Sequence, residues 1–504
     1  TQGRGLAAGL EHAIRYVSRL SDNAGGINGN SWVVRSLPYL HYSATTVDDQ
    51  PEEVVMVQGS NATRWVRDDG VYQGLYGTRR VLSIDAGGDF VVGSPRGERW
   101  VFFGPDASAA LRGQLKSHTS AEGVVELADY GFDQRLASLT RVDPVTGDRA
   151  ALRYVYAPGG SHEGRILEVV KVLVLSGVDH LLQRWLFTYW DGSDAGGSLN
   201  DLRSEEIQVW QQSGGHWARA SRRSFRYYKS GAATGFQHGL RWLVDADAWE
   251  RMASLGLDPL DPASTPDGVL AGFATAFYEY DGEHRVVRSV LRAGTEEFTF
   301  DRLDSDHDPG RNWWRREVMH RPDGATETTY FNRGNQPVLK LLRQGGEVWA
   351  DYWEYDEQFR ETLHATPAAI ATFAEPANPS QNFSATLKSA AGFVEAKDYY
   401  PESGGGAGSA PGRLKSESVK EGASGGGIKR RELTYAARTV DEDTVYKVAT
   451  STVYRSSAGG GGDPAVTEFL RQWREDSFAV AKLVVKPPVV PVEENGTGQP
   501  TEQI

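Results

Sequence analysis

The 504-residue chain contains no cysteine. A disulfide scaffold, a thiolate metal site and a cysteine nucleophile are excluded together, while the redox compartment is left open. Long apolar runs are missing too: none approaches the roughly 18 residues of a membrane-spanning helix. Positive charge is scarce, with 54 Lys and Arg against 67 Asp and Glu and a net charge of −13. The notable basic runs, Arg222-Arg223 and Lys429-Arg430-Arg431, sit in strand-like or turn-like contexts and read as solvated faces, which argues against nucleic acid as a partner. Neither a basic n-region nor an apolar h-region opens the chain. Its first residue, Thr1, is not Met, so the start reads as processed or trimmed.

What is present is glycine, 57 residues of it, with 39% hydrophobic and 11% aromatic content. That combination describes a packed core reached through many tight turns, hence many short strands. Val81–Ile84, Phe90–Val92 and Trp100–Phe103, broken by Gly87-Gly88 and Gly97, predict successive hairpins. A further hairpin is expected from Glu205–Trp210, a turn at Ser213–Gly215, and a return strand from Trp217 to Tyr227. Helices are the exception. Leu6, Leu10, Ile14 and Val17 at helical spacing predict one over residues 4–21, ended by Asn23 and Gly25-Gly26. Asp247 and Glu250 read as a capping box for a helix carrying Trp249, Met252 and Leu255. Thr366-Pro367 opens a short turn or helix, and Asp463-Pro464 predicts a helix with Val466, Phe469, Leu470 and Trp473. Residues 403–412 and 422–427 are Gly/Ser-rich loops, and the Pro-rich tail after Pro487 has the composition of a linker or docking arm.

An internal period emerges from the aromatics. Phe132-Asp133-Gln134-Arg135-Leu136 begins an alternating strand, Asp143-Pro144 to Gly147 makes a turn, and Leu152 to Tyr156 returns. Related units begin at Phe187, Tyr278-Glu-Tyr280-Asp281, Tyr330-Phe-Asn332, Tyr352-Trp-Glu-Tyr355-Asp356, Tyr399, Tyr435 and Tyr454. These units resemble the YD-repeat, or Rhs-repeat, family, with Tyr355-Asp356-Glu-Gln-Phe359-Arg360 nearest the family's Tyr-Asp-x-x-Gly-Arg core. The core glycine is replaced here by His284 and Phe359, so the copies are divergent. The resemblance implies a β-ribbon that spirals into a shell around a polypeptide cargo, with aromatics stacked between turns. Phe132, Tyr156, Tyr280, Tyr330 and Tyr355 are then the structural aromatics. The family's C-terminal Asp-Pro-x-Gly self-cleavage core is not found; Asp308-Pro309-Gly310 lacks its spacing and position.

Chemistry-bearing motifs are sparse. Asp304, Asp306 and Asp308 alternate as in a calcium loop, but Pro309 and Arg315 stand where an EF-hand needs Gly and Glu, and three arginines neutralise the segment. The eleven histidines lack zinc-site spacing, and His162, His284 and His307 read as residues of wet turns. No nucleophile elbow and no phosphate-binding loop is present. Trp313, Trp314, Trp349, Tyr352, Trp353 and Tyr355 form either a strand-packing ladder or a sugar platform.

The expectation is therefore a mainly β protein: a spiralling antiparallel YD-repeat sheet with a few helical insertions. Its parts are an N-terminal helix and linker (1–30), a β-rich region (31–128), the repeat sheet (129–456, with a helical insertion at about 240–272) and a C-terminal helix, strand and tail (457–504). No catalytic, cofactor or metal site is assigned. The expected role is a non-enzymatic extracellular or cell-surface wall segment, partnered by protein, by copies of itself or by an enclosed polypeptide. The alternative is a carbohydrate-binding or carbohydrate-acting β protein. Terminal segments are expected to cover the sheet's open edges.

Overall fold

A computed structural model describes the chain except residues 1–3, 21–26, 48, 122, 144–145, 404, 441–442, 457–461, 476–477, 491, 495–497 and 504. Strands hold 51% of the residues and helices 5%. One antiparallel sheet of 26 strands runs from Val81–Ile84 to Val480–Lys486, nearly every strand paired with its neighbours in sequence. The exception is one step: Glu361–Ala365 pairs directly with Phe393–Tyr399, and the hairpin between them, Ile370–Ala374 with Ser384–Leu387, folds away as its own two-stranded sheet. The expected hairpins all form, including Leu202–Gln211 with His216–Tyr227, where Trp210 faces Trp217. Ahead of the large sheet, a four-stranded sheet is built from Tyr39–Tyr42, Glu53–Gln58, Asn61–Asp68 and Val71–Gly74.

The strand order returns on itself, and hairpin ends make the return. Arg79 donates through Nη2 to the Pro411 carbonyl at 2.6 Å and also reaches Gly412. Lys447 donates to the Arg96 carbonyl at 2.5 Å, 351 residues away, and Arg413 to Pro95, 318 away. Tyr76 meets Phe359 edge-on at 6.2 Å. Gly77, at φ +71°, has room for no side chain, because a Cβ would lie 2.4 Å from the Gln358 carbonyl.

Three helical expectations are modified. Residues 4–21 do not form one helix: a single turn, Arg4–Ala7, stops at Gly9 (φ +72°), and Ile14–Tyr16 is a strand paired with Trp32–Val34. Leu10 and Ile14 are buried nonetheless, because the segment lies along the sheet. Asn23 and Gly25-Gly26 lie outside the described residues. Gly462–Trp473 is a strand, not a helix. Flanking strands bond it on both sides, and a satisfied ladder outweighs a three-four spacing that also fits alternate faces. The helix at Ala246–Ser254 forms as expected, but Asp245 caps it, accepting from the Ala248 amide at 2.9 Å. Asp245 is the last extended residue, the position from which a carboxylate reaches the free amides, whereas Asp247 already lies inside the first turn. No helix among the described residues is long and apolar enough to cross a membrane.

Candidate functional site: the tyrosine edge and the strap that covers it

The repeat has a physical unit. The strand register slips by one residue just before Tyr130, Tyr156, Tyr189, Tyr227, Tyr280, Tyr355 and Tyr399. Each slip is a β-bulge, which twists the strand end and re-aims its last side chain. Except at Tyr227, whose hydroxyl accepts from Trp32, the hydroxyl then donates to the first residue of the preceding strand. Tyr130 reaches the Leu115 carbonyl at 2.8 Å, Tyr156 reaches Leu136 at 2.9 Å and Tyr189 reaches Ile166 at 2.7 Å. Tyr280 reaches Leu240 at 2.7 Å, Tyr355 reaches Pro337 at 2.9 Å, and Tyr399 reaches Glu361 at 2.8 Å. Tyr435, also placed after a bulge, reaches Leu414 at 2.9 Å. The links chain together: Tyr130 is paired with Leu136, whose carbonyl holds Tyr156, which is paired with Ile166, whose carbonyl holds Tyr189. A carbonyl at a strand end, with no further ladder partner, thus receives a donor from an aromatic ring that also fills the core. Burial raises the hydroxyl pKa along the row, to about 12 at Tyr399 and higher at Tyr156, Tyr189 and Tyr280, so these groups remain donors at any physiological pH.

The turn after the tyrosine explains the Asp and the Arg of the repeat. Asp281 Oδ1 accepts the Glu283 and Arg285 amides at 2.9 Å each, and Oδ2 accepts Arg285 Nε at 2.7 Å. Asp356 does the same with Gln358 at 3.0 Å, Arg360 at 2.9 Å and Arg360 Nε at 2.7 Å. Burial alone would raise the Asp281 carboxyl, but the bonds from Arg285 and Glu283 outweigh it and hold its pKa below the ordinary value. The residue before the Arg is left-handed: φ is +61° at His284 and +58° at Phe359, the positions where the repeat family has glycine. Gln134, Asn335 and Gly324 occupy the same place in other turns, at +62°, +59° and +78°. A three-residue hairpin turn closed by a left-handed residue is a common solution, and His284 and Phe359 compensate for the strain by packing. His284 stacks on Phe236 at 3.7 Å, and Phe359 abuts Tyr76.

Tyr280 and Tyr330 are buried, at 6% and 0% exposure, whereas Tyr156 and Tyr355 are half-buried. Tyr330 differs from the others in bonding the Glu375 carboxylate at 3.0 Å. Phe132 is not a packing residue: it projects from its turn at 112% exposure, and the ring that packs in this unit is Tyr130. In this unit the ring that follows the bulge packs, and the ring beside the Asp does not. Beside Phe132 a cleft of about 420 Å³ is lined by Trp32, Val34, Leu37, Leu115, Leu136 and Tyr156, with Arg135 at its rim.

Across this edge lies the N-terminal segment, described over residues 6–20 and 27–42. Arg141, itself held by Glu126 at 2.6 Å, donates to the Leu6 and Ala8 carbonyls at 3.0 and 2.6 Å. The Ile27 carbonyl accepts the Ile166 amide at 2.9 Å. The Tyr16 hydroxyl bridges the His238 carbonyl at 2.9 Å and the Leu240 amide at 3.0 Å, and Trp32 donates to the Tyr227 hydroxyl at 2.8 Å. Under the segment, Asp201 (0% exposed) meets His238 at 2.7 Å, Asn30 at 2.9 Å and the Ser198 amide at 2.7 Å. Ser31, Asn200 and His238 surround it, all at positive φ. Every oxygen of Asp201 is engaged, so the cluster ties strap to sheet. Nothing in the sequence pointed to it, since its members lie as far as 208 residues apart.

The other candidates disperse. Asp306 gives both oxygens to Arg311, at 2.9 and 2.8 Å, which lowers its pKa to about 2. Asp304 lies 3.9 Å from Arg285, and Asp308 accepts the Gly310 amide. No group of acids and histidines among the described residues is arranged to hold a metal. Trp313 is buried, Trp314 packs on His307 at 3.8 Å, and Trp353 stacks on His364 at 4.6 Å. Trp349 is exposed, so these rings do not form a flat row.

No protein-family model matches the chain, and no curated protein matches it. Among solved structures, "Crystal Structure of TcdB2-TccC3-Cdc42" aligns at TM-score 0.32 and 11% identity, over 90% of this chain and 23% of the other. "Crystal Structure of TcdB2-TccC3-TEV" aligns at TM-score 0.35 and 12% identity, over 91% and 24%. The Photorhabdus luminescens Tc holotoxin pore aligns at 0.29 and 9%, over 88% and 24%. The chain spans about a quarter of the length of these structures.

Proposed function

We propose that the chain is a non-enzymatic wall segment of YD-repeat type, working outside the cytoplasm and enclosing or assembling with polypeptide. The observation that carries this reading is the repeated unit itself: a bulge, a tyrosine whose hydroxyl bonds the preceding strand end, and an Asp/Arg-locked turn, running along one edge of a sheet that returns on itself. Such a unit stabilises curvature and stacking and presents no converging reactive groups. In its turns the Asp and the Arg are spent on each other, Asp281 with Arg285 and Asp356 with Arg360.

Small-angle scattering on the purified chain tests the reading. A solid globule of this length has a radius of gyration of about 23 Å. A wall segment should exceed that and show a solvent-filled centre by electron microscopy. A solid particle at the globular radius counts against it. Glycan binding abolished by Trp349→Ala would favour the carbohydrate alternative instead.

A further inference from the structure

His12 is the one histidine of the strap's first limb, and it is sealed: 1% of its surface is exposed. Three rings from the sheet enclose it edge-on, Tyr154 at 5.6 Å, Phe187 at 5.5 Å and Trp185 at 6.3 Å. Its Nε2 lies 3.1 Å from Asn28 Oδ1, and its Nδ1 finds no partner among the described residues. Both partners of that bond, His12 and Asn28, belong to the strap, so the pair is a polar knot pressed into an aromatic floor. We infer that the strap is an acid-released latch: protonating His12 makes its docked position untenable and lifts residues 6–20 and 27–36 from the tyrosine edge.

The physical case rests on what surrounds the ring. An imidazolium there would have no carboxylate to meet and no water to solvate it. Besides burial, only the Asn28 bond acts on the ring, and the charged groups on the adjoining strands are cationic or committed. Lys171 and Arg141 on the adjoining strands are cationic, Glu126 is bonded to Arg141 and His118, and Glu11 of the strap lies toward Lys171. Tyr154 adds no charge, since burial pushes its hydroxyl pKa up. Burial accordingly lowers the His12 pKa from 6.5 to about 3, the Asn28 bond offsetting only part of it. The sign follows: the docked strap holds the neutral ring and the released strap does not, so docking is at full strength above pH 6.5 and weakens as pH falls toward 3. With those two values, linkage multiplies the released population about thirtyfold at pH 5 relative to pH 7.5. Release would uncover the rings of Tyr154, Trp185 and Phe187 together, an apolar patch at the tyrosine edge.

Hydrogen exchange on the full chain at pH 7.5 and 5.0, corrected for intrinsic rates, reads this directly. Strap peptides over residues 6–20 and 27–36 should lose about thirtyfold of their protection at pH 5, while peptides over residues 326–355 stay unchanged. His12→Leu should keep the strap protected at both pH values, and His238→Gln should retain the wild-type response. Strap protection that is indifferent to pH overturns the inference, as does an unchanged response in His12→Leu or its loss in His238→Gln. Should His12→Leu fail to fold, carbon-labelled histidine spectra of the unmodified chain decide. A His12 resonance titrating near 6.5 with the strap still protected overturns the latch, and one silent until the strap opens supports it.

Discussion

The first half of the sheet and its last strands are built from the same hairpin, yet they differ in what lies beneath them. From Ala7 to Leu240 a continuous core joins the strap, the four-stranded sheet and the large sheet, with Trp65, Trp190, Phe90 and Leu139 fully buried. Of the final strands, Ile428–Val440, Asp443–Ser456 and Gly462–Trp473 are 12 to 14 residues long and Val480–Lys486 is 7, but their cluster is Ala410, Leu433 and Tyr435. Val453, Val466, Leu470 and Leu483 are exposed there. The difference teaches that ladder bonds and bulges shape this ribbon, while stability is concentrated where a second layer covers it. The last strand is also touched by the tail: Val485 and Gln503 exchange backbone bonds at 2.9 Å each.

The largest test of that contrast is truncation of one large side chain on each side. Tyr280→Ala should cost about 3–5 kcal/mol by denaturant unfolding, as a buried large-to-small change does, whereas Leu470→Ala should cost no more than about 0.5 kcal/mol. Equal costs would break the comparison. Removing residues 487–504 should leave the core transition in place and lower amide protection at Val485, read by hydrogen exchange, because its bonds to Gln503 are lost. Tyr280→Phe removes only the donor to the Leu240 carbonyl and should cost about 1–2 kcal/mol, a value that isolates the edge bond from the ring. The smallest effect concerns the turns. Gly324→Ala, in open space at φ +78°, should cost about 1 kcal/mol, while Gln134→Gly at the same turn position should gain about 0.5 kcal/mol, both read from unfolding midpoints.

Much of this was visible in the residues before any coordinates. Alternation and Gly-rich turns were enough for the hairpins at 81–103 and 205–227, because a strand's period and a tight turn's residue demands are local. The recurrence of Tyr-Asp with a following Arg marked the turns, since Asp281 and Arg285 interact within five residues. Phe132 shows the limit of that reading: beside an Asp it resembled Tyr280 and Tyr355, but the ring that packs in this unit is Tyr130, which follows the bulge.

Tertiary structure decided the rest. The apolar spacing at 464–475 fitted a helix until strands on both sides supplied a ladder. Leu6, Leu10 and Ile14 carried their burial in the sequence but not their conformation, which Gly9 and the pairing with Trp32–Val34 set. The strap's anchorage, from His12 in its ring of aromatics to Asp201 beneath Asn30 and His238, had no sequence signal at all. Local rules act through a few backbone bonds and leave a pattern in the chain. Burial of a polar group depends on which distant strands arrive to cover it, and only the folded sheet determines that.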